Sequence, residues 1–233
     1  MGKQMDKEYY TSRKSELLER FDEDAQYWTQ VIASNYDRDF ANIILREARE
    51  EYDALIPEVP YIGGDENHLT SSLIRSARCL SLYEAMKARG ITVKEIGKIL
   101  YDATLVRGAG PPVPPSEWLS PEDLMKRRRE RAKRSQERRY PEDWVYEFVE
   151  GDGVEFDYGY DFIECGTQKF YHVQGADEFL PFYCFLDFAT SKASGLGLAR
   201  TMTLAEGYEK CDFRFKRGRK VEQEWPPPFL QKE

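Results

Sequence analysis

Three of the four cysteines lie in the carboxy-terminal half of the sequence, at positions 165, 184 and 211. Cys184 precedes Asp187 by three residues in an aromatic-rich segment, so a thiol and a carboxylate share one face if that segment is helical. A neighbouring carboxylate raises the pKa of a thiol, which makes Asp187 better suited to act as a general base or to hold N–H groups than to activate Cys184. Cys184, Asp187 and Cys165 are therefore candidate catalytic residues, although each cysteine also fits a small buried side chain.

The sequence offers two histidines, His68 and His172, and His172 is a candidate catalytic base. It contains no HExxH or CxxC motif, and none of its glycine-rich stretches matches a phosphate-binding loop. A zinc site would have to combine the three cysteines with a histidine from distant positions. We therefore expect neither a metal nor another cofactor.

Arg200 and Thr203 belong to the alternating segment LARTMTLAEG, which predicts a strand. The guanidinium of Arg200 offers a fork that a carboxylate can accept, although the residue could equally face solvent. Thr203 would join it at a site only if the strand bends or bulges. A buried carboxylate needs a partner, so Asp187 must meet a structural cation such as Arg200 or the N–H groups of a ligand.

The first hundred residues predict a small helical bundle. Apolar residues recur at three- and four-residue intervals over 39–55, as expected for one face of a helix. A second helix is predicted from about residue 69 to 89, with Gly90 as its stop signal. Thr92 and Glu95 form a capping box for a third helix.

From residue 140 onward the pattern changes to aromatic and β-branched residues. Segments 144–150 and 154–165 flank a Gly-Asp-Gly turn and predict a hairpin. A helical stretch over 177–189 follows, and then two further strands within 197–215. This order predicts an α+β fold, in which the helical amino-terminal part packs on an antiparallel sheet that has helices on one face.

These patterns divide the sequence into a helical region over 1–107, a proline-rich linker and basic helix over 108–139, and an α+β ligand-binding or catalytic domain over 140–233. The stretch KRRRERAKRSQERR, residues 126–139, contains nine Lys and Arg residues. A solvated charged helix explains it best, and docking on an acidic surface of a second copy is an alternative that would make a homo-oligomer. No aromatic residue alternates with these cations to stack on bases, so the sequence does not favour a nucleic-acid partner.

Composition narrows the class of protein. The chain has 233 residues, 41% of them hydrophobic and 33% charged, with a net charge of −8. No stretch is apolar over the roughly 20 residues that a membrane span needs, and the first residues have no apolar core typical of a secretory signal. We therefore expect a cytoplasmic protein with reduced thiols and no membrane contact.

A family resemblance emerges from the ordered set of motifs. The set comprises PYIGGDEN-x-LT, GIT-x-KEIG, Cys165, Cys184-x-x-Asp187, Arg200-x-x-Thr203-Leu204-x-x-Gly207 and Cys211-x-Phe213-x-Phe215. It resembles the L-2-amino-thiazoline-4-carboxylic acid hydrolase family from about Tyr36 to Phe215, except for the basic stretch. The last motif also resembles the small-molecule-binding domain named after vinyl reductases. Gly166 stands where family members often carry a proline, which predicts a difference in ligand contacts there.

The resemblance implies a hydrolase that adds water to the C=N carbon of a small cyclic amidine carboxylate and opens the ring. Asp187 would accept hydrogen bonds from the amidine, Arg200 would bind the carboxylate, and Cys184, Cys165 or a water activated by His172 or Asp187 would attack.

The remaining expected substrate-binding residues are Tyr183, in an aromatic wall with Phe182 and Phe185, Asn67 from the PYIGG loop, Thr203 and Cys211. The alternative is a sensory module that binds a small molecule in the same pocket without turning it over.

Overall fold

The computed structural model describes residues 8–108 and 121–231 of the chain, so most of the proline-rich linker predicted from residue 108 lies outside the described residues. The amino-terminal part is helical, as predicted. Its helices are α1 (Lys14–Asn35), α2 (Arg38–Leu55), α3 (Thr70–Ala88) and α4 (Val93–Arg107). None of the helices in the described part is both long and apolar enough to cross a bilayer.

Local signals in the sequence set the ends of these helices. The side chain of Asp37 caps α2 by accepting a hydrogen bond from the amide of Phe40 at 2.7 Å. Gly90 has a φ of 79°, a conformation that glycine adopts without strain, and it follows the end of α3. The capping box of Thr92 and Glu95 forms at the start of α4 as predicted.

The carboxy-terminal part combines a sheet with three further helices. They are α5 (Pro121–Ser135), β1 (Val145–Glu150), β2 (Tyr158–Glu164), α6 (Gly166–Val173), α7 (Leu180–Ser194), β3 (Leu196–Ala199) and β4 (Cys211–Arg217). The four strands pair antiparallel in the order β1-β2-β4-β3. The predicted α+β class is confirmed.

Strand register decides which side chains face the helices. Phe162 of β2 lies between Tyr146 of β1 and Cys211 of β4, and the next row on this face places Tyr160 opposite Phe213. Ring contacts such as Tyr146 on Phe162, with centroids 4.7 Å apart, join neighbouring strands. The helix-facing side of the sheet is therefore an aromatic surface.

The predicted strand over LARTMTLAEG is only partly correct, because β3 ends at Ala199. Beyond this point the carboxylate of Asp212 accepts hydrogen bonds from the backbone amides of Thr201 and Met202 at 2.8 and 2.6 Å. A short 3-10 helix, Leu204–Glu206, follows. The side chain of Asp212 thus replaces strand pairing and turns the chain just after Arg200.

The basic helix α5 lies on the sheet rather than standing free in solvent. Arg128 donates to the Tyr160 hydroxyl at 2.7 Å and stacks over the ring of Tyr158. At the outer edge of β1 the Ser135 hydroxyl accepts a hydrogen bond from the amide of Tyr146, while Gln136 donates to the carbonyl of Tyr146. More than half of the residues of α5 are exposed, as expected for a solvated charged helix, while this face packs on the sheet.

Helices α4 and α7 join the two parts of the structure through a close contact at Gly97. A Cβ atom at Gly97 would lie 2.6 Å from Cδ1 of Phe182 and 2.9 Å from its Cβ. We expect Gly97→Ala to lower the free energy of unfolding by about 1 to 2 kcal/mol, because overpacking outweighs the gain in helix propensity. Urea denaturation measures the change. Combining Gly97→Ala with Phe182→Leu should recover part of the loss, and a purely additive double mutant would contradict the contact.

Candidate active site

A cavity of about 270 Å³ lies between the aromatic face of the sheet and helices α3 and α7. A volume of this size suits a small ring compound rather than a polymer. Its wall is largely apolar but contains two arginines, one aspartate and three thiols. The lining residues are Leu69, Ser72, Arg75, Trp144, Tyr160, Phe162, Cys165, Thr167, Tyr183, Cys184, Asp187, Arg200, Cys211, Phe213 and Phe215.

Helix α7 presents Tyr183, Cys184 and Asp187 to this cavity, because residues three and four apart share a helix face. Phe182 and Phe185 point away and pack around Trp225, with ring centroids 6.1 and 6.2 Å from it. The expectation that both phenylalanines line the pocket is therefore wrong. Tyr183 does line it, and the other aromatic walls come from the sheet and from Trp144 just before β1.

Asp187 is held by Arg200, which follows β3. Nη1 of Arg200 donates to Oδ2 of Asp187 at 2.8 Å, and Nη2 donates to the carbonyl of Cys184 at 3.0 Å. The guanidinium lies between the rings of Phe188 and Phe213, at 5.0 and 4.8 Å from their centroids. These contacts fix the carboxylate of Asp187 in one orientation.

The two oxygens of Asp187 have different surroundings. Oδ2 is bound to Arg200, whereas Oδ1 accepts no hydrogen bond from any residue that the structure describes. The accessible part of this side chain, 44% of its surface, borders the cavity. Burial raises the pKa of the carboxyl group, while Arg200 and Arg75 act in the opposite direction. Oδ1 is thus available to a ligand, as a hydrogen-bond acceptor or as a base.

Arg200 does not meet the expectation of a free fork for a substrate carboxylate. Only 3% of its side chain is exposed, and both of its terminal nitrogens already donate to Asp187 and Cys184. Its Nε is buried without an acceptor in the described part of the chain. The position of Arg200 suits it to orient Asp187 rather than to bind an anion.

Cys165 occupies the N-cap position of helix α6, beside the cavity. Burial raises the pKa of its thiol, although the amides of Gln168 and Thr167 and the side chain of Trp144 lower it in part. A Cβ atom on Gly166 would lie 2.7 Å from the Trp144 ring. Glycine at this position therefore lets the indole pack against the start of α6.

The other thiols are less suited to ionise. Burial raises the pKa of Cys184 well above its ordinary value, and that of Cys211 to about 11. The sulfur of Cys211 also accepts a hydrogen bond from the amide of Leu204 at 3.2 Å. Cys79 lies apart from the cavity, in the helical core. All four cysteines are free, and the described residues contain no cluster of three His, Cys, Asp or Glu side chains placed to hold a metal.

Three of the predicted site residues lie outside the cavity. His172 is on the surface, with 76% of its side chain exposed and its Nδ1 3.1 Å from the carboxylate of Asp177. Thr203 uses its hydroxyl to cap the following 3-10 helix by accepting from the amide of Glu206. Their predicted roles as catalytic base and ligand contact are not supported by these positions, because neither side chain reaches the cavity.

Asn67 also has a structural position rather than a place on the cavity wall. Its side-chain amide donates to the carbonyl of Ile62 and to the carboxylate of Asp143, both at 2.7 Å. Its Oδ1 accepts from the amide of Leu69 at 3.0 Å. These bonds fix the loop before α3 against the start of the sheet, so Asn67 supports the cavity through Leu69 without touching it.

Several residues that line the cavity were not predicted, among them Arg75 of α3 and Trp144 just before β1. The helical spacing of Leu69, Ser72 and Arg75 could have indicated that these residues share a face. It could not indicate that this face meets the sheet. Trp144 opens the predicted hairpin, and its position beside Cys165 depends on the tertiary fold.

Comparison with protein-family models identifies one match, to the L-2-amino-thiazoline-4-carboxylic acid hydrolase family, over residues 72–215. Comparisons with curated proteins and with solved structures give no significant match. The matched region covers more than half of the chain and includes all the residues that line the cavity except Leu69. The chain belongs to the L-2-amino-thiazoline-4-carboxylic acid hydrolase family.

Proposed function

We propose that the protein is a hydrolase that adds water to the amidine carbon of a small cyclic substrate, such as a 2-aminothiazoline carboxylate, and opens its ring. The observation that carries this proposal is the carboxylate of Asp187, oriented by Arg200 and open to the cavity at Oδ1. The family's name agrees with this substrate class. An amidine presents two N–H groups to one carboxylate, an arrangement that favours short, charge-assisted hydrogen bonds.

Asp187 has two possible uses for Oδ1 in this reaction. It can accept a hydrogen bond from the amidine, and it can take the proton of the attacking water as the oxygen bonds to the amidine carbon. One ring bond to that carbon then breaks, and the proton passes to the leaving ring atom. The aromatic walls formed by the sheet limit the access of bulk water.

The thiols are poor candidates for the nucleophile at neutral pH, since burial raises the pKa of both Cys165 and Cys184. We expect Cys184→Ser and Cys165→Ser each to retain turnover within ~3-fold of the wild type, because water attack does not need a thiolate. Cys211→Ser is the control for replacing a thiol of the cavity wall by a hydroxyl, because the hydroxyl can still accept the hydrogen bond from the amide of Leu204. A loss of ~100-fold or more in one variant would assign that thiol as the nucleophile.

The decisive experiment is to incubate the purified protein with a panel of thiazoline carboxylates, hydantoins and cyclic amidines. Mass spectrometry of the products shows whether a substrate gains one water. Ring opening of a carboxylated cyclic amidine that depends on Asp187 supports the proposal. No gain of water from any member of the panel would contradict it.

One observation favours a second function, a binding module without turnover. No histidine lies at the cavity, and its thiols have raised pKa values, so Asp187 is the one candidate base among the lining residues. In that case the protein would bind compounds of the panel with unit stoichiometry in calorimetry and release them unchanged. Asp187→Asn would then weaken binding rather than abolish a reaction.

A further inference from the structure

Arg75 lies on helix α3 and lines the cavity. Leu69, Ser72 and Arg75 follow one another at three-residue intervals and line the cavity together. The sheet lies on another side of this space, and α7 contributes Asp187. The cavity therefore has one arginine on α3 in addition to the arginine that holds Asp187.

Arg75 is a partly buried residue, and its guanidinium forms no hydrogen bond or ion pair with any residue in the described ranges. Its neighbour on the same helix behaves differently: Arg78 is buried and donates to Asp24 at 2.8 Å. A guanidinium has five N–H donors, and leaving them without acceptors in a mostly apolar cavity is costly. On the side of the cavity, the acceptors for Arg75 are supplied by the cavity's contents, water or a ligand.

The charges around Arg75 keep it cationic. Burial lowers the pKa of its guanidinium, but the nearby Tyr183, Cys79, Asp187 and Asp24 outweigh that effect and raise it. Arg75 and Asp187 influence each other's pKa but form no ion pair with each other, while Arg200 binds Oδ2 of Asp187. The cavity thus contains a cation without a protein partner among the described residues and a separate carboxylate oriented by Arg200, which matches a ligand with an anionic and a cationic end.

We propose that Arg75 binds the carboxylate of the substrate, while Asp187 receives its amidine. This inference rests on the proposed function, and it moves the anion-binding role from Arg200 to Arg75. The planar guanidinium can donate two parallel hydrogen bonds to a carboxylate, so it fixes the position of the ring as well as its charge. Arg75 is then the residue that selects carboxylated substrates over otherwise identical neutral rings.

The test compares two ligands, 2-amino-2-thiazoline-4-carboxylate and 2-amino-2-thiazoline, with the wild type, Arg75→Gln and Arg75→Lys. Turnover gives KM and kcat, and the shift in melting temperature on adding each compound gives binding without turnover. We expect Arg75→Gln to raise KM for the carboxylated ring by about 10- to 100-fold, the range for a lost hydrogen bond to a charged group. Binding of the ring without a carboxylate should not change. The KM of Arg75→Lys for the carboxylated ring should lie between those of the wild type and Arg75→Gln, because lysine keeps the charge but cannot donate two parallel hydrogen bonds.

Arg107→Gln is the matched control. Arg107 lines a second, smaller pocket together with Arg75 and Asp24, lies 3.5 Å from the carboxylate of Asp24, and is absent from the cavity wall. Arg107→Gln removes the same charge as Arg75→Gln. An equal rise in KM for the carboxylated ring would therefore overturn the proposal and indicate a general electrostatic effect. Melting temperatures of the ligand-free variants show whether each one folds.

The outcomes separate this inference from the proposed function. Wild-type binding of the carboxylated ring that depends on Arg75, but without turnover, would support the inference and contradict the hydrolase. If the wild type and Arg75→Gln turn over the two compounds with the same ratio of kcat/KM between them, the hydrolase is supported and the inference is overturned. Failure of the wild type to bind either compound would also overturn it.

Discussion

Asp187→Asn is expected to lower kcat by ~100-fold or more, because the variant loses the base and the charge that receives the amidine. The fold should survive, since the side-chain oxygen of asparagine can still accept the hydrogen bond that Arg200 donates to Oδ2. Turnover, together with urea denaturation, measures the two effects separately. A loss of activity that merely followed the loss of folded protein would show that Asp187 has a structural role alone.

The pH profile provides a second measure of this prediction. A general base works when it is deprotonated, so kcat/KM should rise with pH through the pKa of Asp187. Burial raises that pKa and thereby moves the acidic limb above the range of an exposed aspartate, while Arg200 and Arg75 limit the displacement. Asp187→Asn should remove this limb. Asp177→Asn is a matched control, because Asp177 is an exposed carboxylate paired with His172 on the surface.

Arg200→Gln is expected to lower the free energy of unfolding by about 2 kcal/mol, because it leaves the half-buried carboxylate of Asp187 without its cation and removes the buried contacts of the guanidinium. The loss should be smaller than for a fully enclosed pair, since part of Asp187 borders the open cavity. Chemical denaturation gives the free energy. Turnover should also fall, because the orientation of Asp187 depends on this contact.

A double-mutant cycle tests whether the two residues act as a pair. Once Asp187→Asn has removed the carboxylate, the further change Arg200→Gln should cost clearly less than it does in the wild type. Strictly additive losses would mean that Arg200 stabilises the protein through Phe188, Phe213 and the carbonyl of Cys184 alone.

Much of the secondary structure could be predicted because its signals are local. The 3.6-residue spacing of apolar residues in α2 and the capping box of α4 depend on neighbours in sequence, and both agree with the structure. The end of β3 could not be predicted in this way. It depends on Asp212, a residue of the next strand, whose carboxylate binds the backbone at Thr201 and Met202.

The cavity was predictable only in part for the same reason. Helical spacing placed Cys184 and Asp187 on one face, and the sheet brought Cys165 and Cys211 to the same space. Residue type alone suggested His172, but its place at the end of α6 leaves it in solvent. The partner of Arg200, and the lack of a partner for Arg75 among the described residues, follow from the tertiary arrangement of distant segments, which no short sequence pattern encodes.

The contact of α5 with β1 has a consequence for association between chains. An outer strand with free amides and carbonyls can pair with a strand of another molecule and start aggregation. In this chain Ser135 and Gln136 occupy the amide and the carbonyl of Tyr146 at that edge, and Arg129 pairs with Glu150 at its end. The charged helix and the residue after it thus cover the outer strand at Tyr146 and Glu150. Variants that detach the helix would be expected to expose a site for intermolecular strand addition before the core itself unfolds.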